Sequence, residues 1–182
     1  MLVNAKRVLK RAKNNRYAIP QFNINNLEWT KYILEACQEA QFPVILGVSE
    51  GACNYMGGYN TVANMVKGLL KDLKINIPVV LHLDHGSSVK SCKKAIKSGF
   101  TSVMLDFSKE TLEQNILNTK KVVNYAKLYN ASVEAEIGCI GGIEDDKSKL
   151  TRYASLAESI EMVKRTKINM LAAAVGTIHG LS

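Results

Sequence analysis

Apolar residues follow one another along this chain in two alternating rhythms. Short unbroken runs such as Val44-Ile45-Leu46 and Val79-Val80-Leu81 alternate with longer stretches in which apolar residues return every three or four positions. The first rhythm predicts strands buried on both faces, and the second predicts helices with one apolar stripe. Strands are expected over 18–24, 43–49, 78–84, 101–106, 132–138 and 170–176. Helices are expected over 2–14, about 27–40, about 60–72, 89–97, about 112–129 and about 156–166. Asn25-Asn26 can cap the second helix, and Gly99 reads as the glycine that ends the helix starting at Val89. A glycine-containing loop (Gly51, Gly57, Gly58) follows the second strand, and a polar loop from Gly141 to Lys149 follows the fifth.

Six strand–helix periods without a hairpin signal imply an all-parallel α/β sheet. That alternation fits an open doubly wound sheet and a closed barrel equally well, so the polar residues have to decide. Asn23, Ser49, Asp84, Asp106, Glu136 and His179 fall at or just beyond the carboxyl ends of successive strands, whereas an open sheet gathers its ligand groups near one switch point. The expected fold is a (β/α)8 TIM-type barrel, with residues 1–182 as a single partial domain. A complete barrel has about 250 residues and eight strands. With six strands read, the chain is expected to stop before strands seven and eight and to leave sheet edges that need covering.

Composition narrows the partners. The 182 residues are 47% hydrophobic, enough for one sizeable core. Cys37, Cys53, Cys92 and Cys139 show no CxxC spacing and are expected to be free thiols. Lys and Arg run through 1–16 with no long apolar segment, and no stretch is long enough to cross a bilayer. A cytoplasmic protein with no membrane partner is expected. The formal net charge of +8 raises the question of nucleic acid. The lysines, however, stand at helical spacing opposite apolar stripes (Lys6, Lys10, Lys13; Lys67, Lys71, Lys74; Lys90, Lys93, Lys94, Lys97), as on solvated helix faces. With no recognisable module and no interleaved aromatics, no nucleic-acid partner is expected, and the positive balance favours small anionic substrates by steering.

Candidate chemistry concentrates where the third strand ends, at His82-Leu83-Asp84-His85-Gly86. His82 and Asp84 share one strand face and His85 sits where the backbone turns, so a metal ligand and an acid/base group could lie close together. The same residues could equally form a buried His–Asp pair that satisfies its own hydrogen bonds. Glu134 and Glu136, two apart on the fifth strand, share a face, and carboxylates inside an apolar strand are costly unless paired or bound to a metal. Glu144-Asp145-Asp146 is an acidic loop able to carry a proton-transfer carboxylate, or simply a solvated tip. His179 follows the small residues Ala172-Ala173-Ala174, which would leave room inside a barrel. Histidine nitrogens with carboxylate oxygens suit Zn²⁺, whose catalytic sites keep one position open for substrate. Neither GxxxxGK[ST], GxGxxG nor GxSxG is present, which removes the usual nucleotide-binding and serine-hydrolase readings.

Taken together, His82-x-Asp84-His85-Gly86 and Glu134-x-Glu136-Ile137-Gly138-x-x-Gly141-Gly142-x-Glu144 resemble the two signature segments of class II, zinc-dependent fructose-bisphosphate aldolases. Gln21-Phe22-Asn23-x-Asn25-Asn26, Gly47-Val48-Ser49-Glu50-Gly51 and His179-Gly180 match the same family in order, over about 2–182. The resemblance implies reversible cleavage of fructose 1,6-bisphosphate to dihydroxyacetone phosphate and glyceraldehyde 3-phosphate, a step of glycolysis and gluconeogenesis. Tagatose-bisphosphate aldolases share these segments. It further implies His85 and His179 as zinc ligands, with Asp106 and Glu136 at a second or alternate metal position. Asp84 would be the acid/base at the hydroxyl, and Glu144 would handle the proton on the carbon. Asn23 and Ser49 would hold substrate, and Gly180 would offer backbone near a phosphate. A second divalent ion, a monovalent cation and assembly as a dimer or tetramer are also implied for full-length members. In the family a further histidine on strand seven completes the zinc triad, and segments around strands seven and eight hold the phosphates. The 182-residue chain alone is therefore expected to bind zinc weakly and to show little activity. Two other readings remain: a non-catalytic remnant acting as a structural or interaction protein, and a different metal-dependent barrel lyase or isomerase.

Overall fold

The computed structural model describes residues 2–139 and 152–177. Its elements run α1 (Ala5–Asn15), β1 (Gln21–Asn23), α2 (Leu27–Glu39), β2 (Val44–Val48), α3 (Glu50–Tyr55), α4 (Tyr59–Asp72), β3 (Val79–Gly86), α5 (Val89–Ser98), β4 (Ser102–Leu105), α6 (Leu112–Leu128), β5 (Ser132–Ile137), α7 (Leu156–Thr166) and β6 (Met170–Ala173). All six strands are parallel and each pairs with the next in sequence, β1-β2-β3-β4-β5-β6. Six consecutive parallel strands with helices between them form a half-barrel, the expected part of a TIM-type fold.

The alternation of side chains sorts the strands into an outer and an inner face. Val79, Leu81 and Leu83 join Leu46, Val48, Val103, Leu105 and Val133 in the main core, under the surrounding helices. The intervening residues Ile45 and Val80 pack instead against Ala5 and Val8 of α1. By the same parity His82, Asp84, Ser102, Glu134 and Glu136 lie on the inner face. α1 thus closes the amino-terminal end of the strands. Asn4 Nδ2 donates to Asn130 O at 2.8 Å, the Ala5 N–H to Ser132 Oγ at 3.0 Å and the Val3 N–H to Val79 O at 2.9 Å. With that end plugged, the carboxyl end of the strands remains for chemistry.

Helix ends follow local hydrogen-bonding rules. Asn26 accepts from the Trp29 N–H, as expected of a cap. Gly99 takes a left-handed conformation (φ 109°) and its N–H returns to Ala95 and Ile96, as its position predicted. Three expectations need correction. The first helix begins at Ala5, because Leu2 bridges to Val79 instead. The first strand is limited to Gln21–Asn23. The stretch after β2, read as loop, contains α3, capped by Ser49 Oγ accepting from the Ala52 N–H at 3.1 Å. Its glycine content masked a helix of only six residues. The polar loop from Gly141 to Lys149 lies outside the described residues.

The lysine faces are exposed as expected, and the four cysteines are free thiols, three of them buried. Among the described residues no helix is long and apolar enough to cross a membrane.

Two measurements check this packing. A Cβ at Gly86 would stand 2.6 Å from Met104 O and 2.9 Å from Cys92 Sγ, so Gly86→Ala is expected to cost about 1–3 kcal/mol in urea unfolding. Burial pushes the Cys53 and Cys92 thiols up to about 12. A thiol-reactive dye at pH 8 should therefore label Cys139 first, and reach all four cysteines only when the protein is unfolded.

Candidate metal centre

The site is built on an irregularity in β3. His82 pairs with Ser102 and Leu83 with Val103, but Gly86 then pairs with Leu105, so β3 takes three steps where β4 takes two. This is a β-bulge, with His85 in the left-handed region (φ 46°). The extra residue breaks the alternation of faces. Asp84 and His85, although consecutive, can then both reach inner-face partners.

His85 Nδ1 lies 2.9 Å from Asp106 Oδ2 and 3.9 Å from Glu136 Oε2. Asp106, one residue past β4, is oriented by Ser108, whose N–H and hydroxyl donate to Oδ1 at 3.1 and 2.7 Å. Glu136 comes from β5 and is 2% exposed, so three neighbouring strands contribute one group each. Donor atoms of His85, Asp106 and Glu136 all lie within 4.8 Å of one another. Two ligands each about 2.0–2.1 Å from a tetrahedral zinc stand about 3.3 Å apart. The donor set and its spacing therefore fit a divalent ion.

The electrostatics point the same way. The hydrogen bond to Asp106 raises the His85 pKa to about 9 against the opposing effect of burial, with the charges of Asp84, Asp106 and Glu136 adding to the rise. Burial works against ionisation of Asp106, yet hydrogen bonds from His85 and Ser108 hold it well below the usual carboxylate range. The pocket is thus a place of negative potential that retains positive charge, whether a proton on His85 or a metal ion.

Deeper on the inner face, His82 bonds Ser102 Oγ through Nδ1 at 2.8 Å, and its Nε2 comes 3.5 Å from Glu134 Oε2. Burial lowers the His82 pKa to about 4 and raises that of Glu134 to about 7, with the charge of Asp84 adding to the second shift. At neutral pH His82 is uncharged, and the contact is a polar pair rather than a salt bridge.

The structure thus brings His85, Asp106 and Glu136 into one cluster, with Asp84 beside it on β3. Asn23 and Ser49 line a separate hollow of about 500 Å³ at the β1–β2 rim, together with Trp29 and Tyr55. Glu144, His179 and Gly180 lie outside the described residues. The sequence reading missed four supporting side chains: Gln21, whose Nε2 donates to Asp84 Oδ1 at 3.2 Å, and Ser102, Ser108 and Glu50. Only Ser108 had a visible signal, since Asp-x-Ser is a spacing at which a side chain caps its own turn.

Comparison with known proteins fits this geometry. The family model described as fructose-bisphosphate aldolase class-II matches residues 3–182. The chain belongs to the class II fructose-bisphosphate aldolase family. It is 55% identical over 180 residues to a fructose-bisphosphate aldolase of Geobacillus stearothermophilus, covering 98% of this chain and 63% of that protein. It is 50% identical over 178 residues to the 6-phospho-5-dehydro-2-deoxy-D-gluconate aldolase of Bacillus subtilis (strain 168), covering 98% of this chain and 61% of that one. The crystal structure of the YdjI aldolase from Escherichia coli K12 superposes with a TM-score of 0.86 at 30% identity, covering 100% of this chain and 63% of that one. The chain therefore spans a little under two thirds of these relatives. Class II aldolases are zinc-dependent, in keeping with the donor set at the bulge.

The charge state of this aldolase-family site can be tested on the metal-free chain. His85 should titrate near pH 9 by NMR, and Asp106→Asn should bring it towards the ordinary histidine value of about 6.5. Because the folded His85 pKa is raised, its contribution to stability is complete below about pH 6.5 and is lost as pH rises through about 9. Asp106 is depressed, so its share is complete above about pH 4 and falls away in more acid solution. Urea unfolding should accordingly show the wild type ahead of Asp106→Asn most clearly near pH 6. A gap just as wide at pH 10 would contradict a charged pair.

Proposed function

We propose that this chain supplies the metal-binding and proton-transfer part of an aldolase that cleaves and condenses phosphorylated ketoses, with fructose 1,6-bisphosphate as the first candidate. The observation that carries this reading is the convergence of His85, Asp106 and Glu136 at one mouth, next to Asp84. His85, Asp106 and Glu136 are the groups that would hold the ion, joined by His179 as the family pattern implies. When bound, Zn²⁺ supplies the electrophile that lets a carbon beside a carbonyl carry negative charge.

The remaining work falls to the chain's own groups. Asp84 takes the proton from the hydroxyl next to the breaking carbon–carbon bond and returns it in the reverse direction, while Gln21 fixes Oδ1 and so aims the other oxygen. Ser49 Oγ accepts from the Ala52 N–H, which leaves its hydroxyl proton to donate to a substrate oxygen. Asn23 offers an amide on the same rim. Glu144 handles the proton on carbon and Gly180 lends backbone near a phosphate, by family resemblance. Ketose and triose phosphates are the proposed partners. A second divalent ion, a monovalent cation and a dimeric or tetrameric whole protein complete the reading. Tagatose 1,6-bisphosphate is an alternative substrate, and the 50% identity to the Bacillus subtilis protein adds the compound in that protein's name.

A chimera tests this directly: residues 1–182 joined to the remaining carboxyl-terminal part of the Geobacillus stearothermophilus aldolase. Triose phosphate release from the three substrates would be followed by coupled NADH oxidation. Chelator-sensitive cleavage of fructose 1,6-bisphosphate is expected, with the 182-residue polypeptide alone far slower. Asp84→Ala should lower kcat by about 10²–10⁴-fold. Cleavage that survives chelation, or an Asp84→Ala chimera at full kcat, would sink the proposal.

A further inference from the structure

We propose that Glu50 is a positioning residue for the metal-binding bulge: from the first turn of α3 its carboxylate holds the backbone just beyond His85. This rests on the reading of His85 as a metal ligand. Glu50 Oε1 accepts from the Ser87 N–H at 2.7 Å and from the Ser87 hydroxyl at 3.0 Å, and Oε2 lies 3.1 Å from the same hydroxyl. Among the described residues it makes no salt bridge to Lys or Arg within 4.0 Å, and its carboxylate accepts from Ser87 through both that residue's backbone N–H and its hydroxyl. Ser87 directly precedes Ser88, the N-cap of α5, and that helix has no acidic residue in its own first turn. The Glu50 charge therefore also sits where the positive end of the α5 dipole favours it.

The consequence lies two residues back. His85 is held in a left-handed conformation that a histidine does not prefer, and such a conformation persists only where its surroundings enforce it. One restraint comes from β4, through the Asp106 N–H donating to Gly86 O at 3.0 Å. The other comes from α3, through Glu50. Without the second, residues 84–87 can relax towards a regular strand, which turns His85 away from Asp106 and Glu136. Glu50 follows Ser49 directly, so the same clamp ties the rim hollow to the bulge.

Two substitutions separate holding from charge. Glu50→Gln keeps the reach and an acceptor for the Ser87 N–H but removes the charge, whereas Glu50→Asp keeps the charge and loses the reach. Zn²⁺ affinity of the 182-residue chain would be measured by competition with a chromophoric chelator, Co²⁺ binding by its visible bands, and the metal-free fold by urea unfolding, with His85→Ala as reference. Positioning predicts Glu50→Gln within about threefold of wild type, and Glu50→Asp weaker by about 10-fold with an altered Co²⁺ spectrum at similar metal-free stability. Wild-type affinity and spectrum in Glu50→Asp would overturn the role, as would a loss in Glu50→Gln equal to or greater than that in Glu50→Asp. If His85→Ala binds as well as wild type, the metal-site reading fails and this inference falls with it. If His85→Ala loses the ion while Glu50→Asp does not, only the role of Glu50 is refuted.

Discussion

The hydrogen bond between His85 Nδ1 and Asp106 Oδ2, 2.9 Å across a bulged ladder, is the contact on which the rest of the site depends. A non-glycine residue in the left-handed region costs about 1–2 kcal/mol. A hydrogen bond to a charged group contributes about 1.5–3 kcal/mol, so the contact offsets that cost while the Asp106 N–H and Glu50 hold the backbone beyond it. It also defines the chemistry of both partners. Asp106 is kept ionised despite its burial, and the imidazole is kept cationic, or committed to a cation, well above neutral pH. Ser108 completes the arrangement, because a carboxylate held on its other oxygen cannot swing away from the ring.

Beneath that contact, the inner face of the sheet differs from the outer one. The outer residues of β3 are Val79, Leu81 and Leu83, fully buried hydrocarbon under the helices. The inner residues pass from Val80, against α1, through His82 to Asp84, a gradient from apolar to ionic along one strand. His82 occupies the middle of this gradient as a neutral ring held by Ser102. A charged histidine there would carry a desolvation cost that its 3.5 Å contact with Glu134 does not offset, and the lowered pKa of His82 expresses that balance. The interior thus changes from a packed floor to a solvated mouth within a single strand of eight residues.

Much of this was legible in the residues themselves. Among the described residues, two periods, one of strands and one of helices, located every strand and all helices but one, and parity placed His82 with Asp84 and Glu134 with Glu136 on shared faces. Capping chemistry at Asn26 and Gly99 could be read because it depends on a few adjacent residues. The bulge could not be read, since it is a mismatch between β3 and β4 and belongs to neither strand alone. The family resemblance implied Asp106 and Glu136 at a second or alternate metal position beside His85, and the bulge brings donor atoms of all three within 4.8 Å of one another. Helix α3 was obscured by Gly51 and by its brevity. Gln21 and Glu50 act through partners 63 and 37 residues away, separations over which local pattern carries no information.

The division between strand-borne and loop-borne groups also bears on the chemistry. Asp84, His85 and Glu136 belong to strands, and Asp106 follows one directly, so the register of the sheet fixes where they point. In the proposed aldol reaction the breaking bond joins the carbon next to the carbonyl to the hydroxyl-bearing carbon beyond it, a feature common to every aldol and indifferent to the rest of the sugar. Relatives at 55% and 50% identity carry names with different substrates, a ketose bisphosphate and a phosphorylated sugar acid. Strand-borne groups fixed by the sheet, beside a rim hollow lined by Asn23 and Ser49, match the general barrel arrangement in which one scaffold serves several substrates by variation at its rim.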